Sequence, residues 1–289
     1  MEHLRDYLSE GERAGQRYAL SLPRQTPRGA TGATLSQRAG SSLEFKDHRD
    51  YQAGDDLRHI DWNAFARSDQ LSVKLFREEI SPHVDVVLDA SRSMALEDSA
   101  KERVTLALTA LLVTAAANAG FSHATWLMDN DFRPVPNGSA APALWGDFEL
   151  NHRGSPGEVL AHGAPAWRPR GVRVLVSDLL WEGEPLLALK QFTDGASAAV
   201  VIQLLAETDV NPPEEGALRL VDAETDQVRE VHVDAVVAQR YREALARHQQ
   251  NWHQACRANG AIFTTVVAET LLRDWKLDEL VAAEFLRVI

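Results

Sequence analysis

Apolar and polar positions follow a regular rhythm in this 289-residue chain from about residue 83 onward. Short apolar runs of strand composition stand at His83–Asp89, Ala124–Met128, Gly171–Asp178, Ala198–Leu205 and Ala261–Val267. Between them lie longer segments with helical spacing: Ala100–Ala119 (apolar nearly all round), Glu184–Phe192, Tyr241–Asn259 and a closing helix over Thr270–Val288. Arg133 to Gly138 reads as a turn leading into a short helix or loop. Leu218–Asp222 and Val228–Val233 pair as a hairpin around Glu224 to Gln227. Strands separated by helices of ten or more residues imply an α/β fold with a doubly wound, mostly parallel sheet and helices on both faces.

The first 80 residues read differently. Residues 1 to about 22 predict an amphipathic helix with Leu4, Tyr7, Leu8 and Ala14 on one stripe. Turn residues dominate Pro23 to Thr34 and predict an extended loop. Residues 43–80 are dense in charge and aromatics. The expected organisation is an N-terminal helix and loop over 1–42, a charged aromatic segment over 43–80 packed on the main domain, and the α/β domain over 81–289.

Composition narrows the functional classes. An apolar fraction of 45% supports a substantial core. A net charge of −12 opposes non-specific nucleic-acid binding, which rests on neutralising phosphates, and equally disfavours an anionic membrane surface. Cys256 is the one cysteine, which excludes an internal disulfide and a multi-cysteine zinc site and makes the cytosol the expected compartment. The opening Met1-Glu2-His3-Leu4-Arg5-Asp6 lacks the apolar core of a signal peptide. Val104–Ala119 is too short and alanine-rich to span a bilayer, so a soluble, cytoplasmic protein is expected.

The run Val84-Asp85-Val86-Val87-Leu88-Asp89-Ala90-Ser91-Arg92-Ser93-Met94 carries the strongest chemical signal. An apolar strand ends in an aspartate, and two serines follow at alternate positions. In open α/β sheets ligands sit beyond the carboxyl ends of the strands, so Asp89, Ser91 and Ser93 would face that crevice together. One carboxylate and two hydroxyls make an incomplete oxygen shell, suited to a hard cation such as Mg²⁺, with Mn²⁺ as a substitute. The plainer reading is a loop whose Asp and Ser cap the next helix.

Asp89-x-Ser91-x-Ser93 after a buried strand resembles the metal-ion-dependent adhesion site of von Willebrand factor A-type domains, where an open metal position captures a partner's carboxylate. That resemblance assigns these three residues to the first metal-binding loop. Ser155, in Arg153-Gly154-Ser155-Pro156-Gly157, falls where the second loop usually offers a threonine; a serine keeps the oxygen but not the stiffening methyl. Asp178, ending the next apolar strand, falls where the third loop offers an aspartate. A helix cap or turn former is the bland alternative for Asp178.

Residues 44–79 pose a separate question. Asp55, Arg58 and Asp61 stand three apart and on a helical turn would form a charge ladder, with Arg49 and Arg67 adding contacts to the carboxylates. Ile60 and Trp62 beside them predict partial burial. The ladder would serve either as a structural network bracing this segment or as a partner-binding surface. The run Glu44-Phe45, Arg49, Tyr51, Gly54-Asp55-Asp56, Arg58, Ile60-Asp61-Trp62, Ala66-Arg67, Leu71, Val73-Lys74 and Phe76 is similar to the signature of domain-of-unknown-function family 58 (DUF58). Ser177-Asp178 and Leu220-Val221-Asp222-Ala223-Glu224-Thr225 extend the resemblance, which covers nearly the whole chain from about residue 20. It implies a von Willebrand A-like domain and, as partner, a MoxR-type AAA+ ATPase or its client in protein maturation or remodelling. Many members carry transmembrane helices before the signature. This chain shows none, so no membrane role is expected.

Enzymatic readings find less support. Asp89 resembles the nucleophile of Mg²⁺-dependent haloacid-dehalogenase-type phosphatases, but those want an aspartate two residues on, and Ser91 stands there. The chain has no Gly-x-Ser-x-Gly elbow, no phosphate-binding Gly-x-x-x-x-Gly-Lys loop and no His-Glu-x-x-His motif. The expectation is therefore a non-enzymatic binding module that uses Mg²⁺ to capture a partner's carboxylate. A metal-free scaffold and a phosphatase-like hydrolase are the alternatives. Metal affinity separates the first from the binder, and phosphatase activity separates the second.

Overall fold

The computed structural model describes residues 2–21, 43–52, 55–78, 82–96, 99–163, 165, 167–181, 183–213 and 215–289. The loop expected over Pro23 to Thr34 lies outside them. The chain divides into two units, Met1–Thr26 with Pro82–Ile289, and Pro27–Ser81. The larger unit opens with helix α1 (Glu2–Gly15) and strand β1 (Tyr18–Leu20). Leu8 and Ala14 of the expected stripe are buried, with Leu4 and Tyr7 partly so. The expected helix stops at Gly15 rather than running to residue 22, because Tyr18, Ala19 and Leu20 are drawn into a strand and all buried.

The smaller unit pairs β2 (Leu43–Asp50) antiparallel with β3 (Ser72–Glu78), and helix α2 (Trp62–Ser68) lies between them in sequence. The charge ladder does not form. Residues Leu57–His59 make only one 3₁₀ turn, so Asp55, Arg58 and Asp61 never share a helix face. Arg49 does reach Asp55, at 2.8 Å, while Arg58 turns back on Asp56 at 2.7 Å. Asp61 instead caps α2, accepting from the amides of Asn63 (3.0 Å) and Ala64 (3.1 Å), and meets His48 Nε2 at 2.7 Å. Arg67 donates to the carbonyl of Asn63 within its own helix. Ile60 is buried as expected, but Trp62 is 59% exposed.

The larger unit continues through β4 (His83–Asp89), α3 (Lys101–Asn118), β5 (Ser122–Met128), β6 (Phe132–Pro134), α4 (Pro156–His162), β7 (Val172–Ser177), α5 (Pro185–Thr193) and β8 (Ala198–Leu205). It closes with α6 (Glu207–Val210), β9 (Gly216–Val221), β10 (Val228–Val233), α7 (Ala235–Ala258), β11 (Ile262–Val267), α8 (Ala268–Asp274), α9 (Asp278–Ala282) and β12 (Leu286–Val288). Six strands form one sheet in the order β11-β8-β7-β4-β5-β6, parallel except for β6 at one edge. The fold is thus mixed α/β with a mostly parallel central sheet. The chain runs outward from β4 to β6, then returns to β7 and runs outward the other way. The gap between β4 and β7 is the point where strand order reverses, which is where open α/β sheets hold their ligands.

Every residue of β4 and β7 is buried, which explains their continuous apolar runs. Val84, Val86 and Leu88 face a core shared with α3, while Val87, Leu175 and Val201 face one shared with α5 and Trp252 of α7. Helix α3 has no polar face because the sheet lies on one side and α1 on another. The fit of those two helices is close enough that a side chain at Gly11 would collide with the Ala107 carbonyl.

Three expected elements differ. The stretch read as a turn around Arg133 supplies β6, where Pro134 is tolerated on an edge. Helix α7 begins six residues before Tyr241, capped by Asp234 accepting from Val237 N at 2.8 Å. The closing helix breaks at Trp275, whose φ of 54° is left-handed, and its last residues become β12, paired antiparallel with β1 through Leu286 and Leu20. Burial of that pair overrides local helical spacing. Among the described residues no helix is long and apolar enough to cross a membrane.

Candidate metal centre

Three loops meet at the carboxyl edge of β4 and β7. After Asp89 the backbone runs beside the segment before α4. His152 N donates to the Ala90 carbonyl and Arg92 N to the His152 carbonyl, both at 2.9 Å, setting Ser91 opposite His152. Met94, fully buried, anchors the 3₁₀ turn Arg92–Ala95 that follows. Leu179, just past Asp178, takes a left-handed φ of 59°, so the chain turns away directly after the carboxylate.

Asp89 is completely buried. Its Oδ1 accepts from Ser91 N at 2.9 Å and its Oδ2 from the Ser177 hydroxyl at 2.5 Å. The hydroxyls of Ser91 and Ser93 lie 3.0 Å apart. Asp178 is also buried; its Oδ1 accepts from Leu180 N at 3.0 Å and its Oδ2 from Lys101 Nζ at 2.7 Å. Lys101, equally buried at the start of α3, stands 3.5 Å from Asp209 as well. Asp89, Ser91 and Ser93 are thus joined by hydrogen bonds, with Asp178 on the adjacent strand end. Ser155 caps α4 three residues past His152, and its hydroxyl makes no capping bond. It faces a cleft of about 410 Å³ shared with Asp129, Asp131, His152 and Glu158, and no hydrogen bond joins it to Asp89, Ser91, Ser93 or Asp178.

Burial pushes the Asp89 carboxyl up to about 6, and the charge of Asp178 adds to that, against the opposing hydrogen bonds from Ser177 and Ser91. Burial alone would lower Lys101, but the charges of Asp178 and then Asp209 hold it above the usual lysine range. Asp89, Asp178 and Asp209 together bring more negative charge than one ammonium cancels. The donors are hard oxygens, and the uncancelled charge suits a dication, so the residues fit Mg²⁺ or Mn²⁺. Among the described residues no three His, Cys, Asp or Glu side chains group as a metal cluster, so a cation would depend on the serine pair. Cys256 is buried and burial pushes its thiol up to about 12, which removes it as a nucleophile.

The site also contains residues to which the sequence reading gave no part in it. Lys101 heads an apolar helix, where a lysine ordinarily points to water. Ser177 stands in the strand just before Asp178 and was visible as its neighbour. Glu224 and Asp226 come from the tip of the β9–β10 hairpin: Ser93 N donates to Glu224 Oε1 at 3.2 Å, and Asp226 accepts from Arg92 (2.8 Å) and Arg153 (2.5 Å). More than 130 residues separate Glu224 from Ser93 in sequence, too far for local spacing to register.

Fold and site together define a doubly wound α/β protein with an oxygen-rich site at the switch point of its sheet. A family model described as a protein of unknown function, DUF58, matches residues 47–146 and 152–251. The chain belongs to that family, as the signature around Asp55–Arg67 led one to expect. Uncharacterized proteins of Mycobacterium tuberculosis and Mycobacterium bovis are 25% identical over 265 residues, which is 86% of this chain and 80% of theirs. An uncharacterized protein of Mycobacterium avium is 32% identical over 115 residues, 38% of this chain and 63% of its own. Among solved structures, the conserved hypothetical protein BatB from Bacteroides thetaiotaomicron is similar at 13% identity and a TM-score of 0.35, over 70% of this chain and 98% of that one. An aerotolerance-related membrane protein from Bacteroides fragilis gives 15% identity and a TM-score of 0.33, over 67% of this chain and 98% of its own.

Proposed function

We propose that this chain is a cytoplasmic, non-enzymatic protein-binding module of the von Willebrand A type. Asp89, Ser91 and Ser93 would hold Mg²⁺ at the switch point, with Asp178 beside them and Ser155 in the neighbouring loop. The observation that carries this reading is the buried Asp89 carboxylate with two serine hydroxyls 3.0 Å apart directly beyond it, at the place where such sheets bind ligands. When bound, the cation supplies an electrophilic position for an acidic side chain. The protein's own residues do the rest. Ser177 and the Ser91 amide fix the Asp89 carboxylate, Met94 fixes the serine turn, and the fully buried β4 and β7 keep both strand ends rigid. The partner suggested by the family resemblance is a MoxR-type AAA+ ATPase or its client.

Lys101 favours a second reading. Its ammonium already occupies one Asp178 oxygen, so the loops could be neutralised in part without a metal and serve as a scaffold. Calorimetric titration with Mg²⁺ separates the two. The proposal expects saturable binding to wild type that Asp89→Ala abolishes; no heat from either protein would leave the scaffold.

A further inference from the structure

The β9–β10 hairpin has an unusual relation to this site. Among the described residues its two strands pair only with each other, and most of their side chains face solvent, Leu220, Val221 and Val228 among them. Its tip, however, is shaped and fastened. Asp222 accepts from Glu224 N (3.2 Å), from Thr225 N (2.7 Å) and from the Thr225 hydroxyl (2.7 Å), while Asp226 adopts a left-handed φ of 57°. That turn sends Asp226 between Arg92 and Arg153, one from each loop bordering the serine pair. It sends half-buried Glu224 onto the amide of Ser93 itself. A carboxylate supplied by the same chain is therefore hydrogen-bonded to the backbone of a residue that carries one of the two hydroxyls.

We propose that Glu224 is a cation ligand in cis, so that metal binding fastens the hairpin tip over the Ser91–Ser93 loop. The inference rests on the Mg²⁺ reading above and adds to it the identity of the carboxylate that meets the open metal position when no partner is engaged. The Arg92–Asp226–Arg153 contacts are solvent-exposed ion pairs, which hold weakly, so the tip can be released. A partner's acidic residue would then enter by displacing Glu224, and hairpin release and partner binding would be one event.

Glu224→Gln isolates the charge, because the amide keeps an oxygen for Ser93 N. Mg²⁺ titration and amide hydrogen exchange at residues 222–228 are measured on the full chain as wild type, Glu224→Gln and Asp89→Ala. Wild type is expected to bind Mg²⁺ and to slow exchange at the tip on binding. Glu224→Gln should match wild type in metal-free exchange, lose the Mg²⁺-induced slowing, and bind Mg²⁺ at least about tenfold more weakly, since ligand charge sets the affinity of such sites. Asp89→Ala should bind none. Equal Mg²⁺ affinity and equal slowing in wild type and Glu224→Gln, with Asp89→Ala still inactive, would overturn the role of Glu224 and leave the metal site standing. Absence of Mg²⁺ binding in wild type would overturn both.

Discussion

Replacing Lys101 by Met tests the electrostatics of the site where the structure is most demanding. Methionine keeps most of the buried stem and removes only the ammonium, so packing against the sheet is largely preserved. Lys101 is 1% exposed and is bonded to a carboxylate that is itself buried. Deleting one partner of such a pair leaves an uncompensated buried charge, at a cost of about 3–5 kcal/mol. For a unit of this size each kcal/mol moves the melting temperature by about 2–4 °C, which puts the fall at roughly 10 °C. Thermal melts in EDTA at pH 7.5 measure it. Under the metal reading Mg²⁺ should restore part of the loss: a cation at a hundred times its Kd stabilises by about 2.7 kcal/mol. A Lys101→Met melting temperature equal to wild type in EDTA would refute the claim that this ammonium neutralises the cluster.

Further expectations concern pH and the smaller unit. Asp89 has a folded pKa of about 6 against an ordinary 3.8, so the native state holds its proton more tightly than the unfolded chain. The associated stability is present below the unfolded value and lost as pH rises to about 6. The metal-free protein should therefore be less stable at pH 7.5 than at pH 5, by about 1.4 kcal/mol for the one pKa unit lying between pH 5 and 6, and Asp89→Asn should flatten that slope. Mg²⁺ affinity should run the other way, falling below pH 6 as protons compete for Asp89; a calorimetric affinity independent of pH from 5 to 7.5 would count against Asp89 as a ligand. In the smaller unit, Asp61→Ala removes a helix cap and should cost about 1 kcal/mol. In urea titrations of the same chain Arg58→Ala should leave stability unchanged, because Arg58 is exposed and among the described residues is bonded only to Asp56, two positions away; the reverse order would contradict this hydrogen bonding.

The parts of the fold legible in the sequence are those buried on both faces. β4, β7, β8 and most of α3 show as largely apolar runs because they are buried along nearly all their length. Among the strands that escaped notice, β1, β6 and β12 are three residues long, and each owes its existence to a partner strand rather than to its own pattern. The same division runs through the site. Asp89, Ser91 and Ser93 were readable because one strand and its loop carry them all. Lys101 was not, since only the placing of buried Asp178 and half-buried Asp209 against the head of α3 turns a helix-start lysine inward. The ladder of Asp55, Arg58 and Asp61 was misread for a related reason: spacing of three implies proximity only on a helix, and the chain there makes a single turn.

The central claim is that a divalent cation belongs on the serine pair beyond Asp89. A crystal of the full chain soaked in Mn²⁺, with an anomalous difference map, examines it most directly. The account predicts one strong peak bonded to the Ser91 and Ser93 hydroxyls and bordered by Asp89 and Glu224. A map without a peak there, or with its peak in the cleft of Asp131, His152 and Glu158 instead, would contradict it.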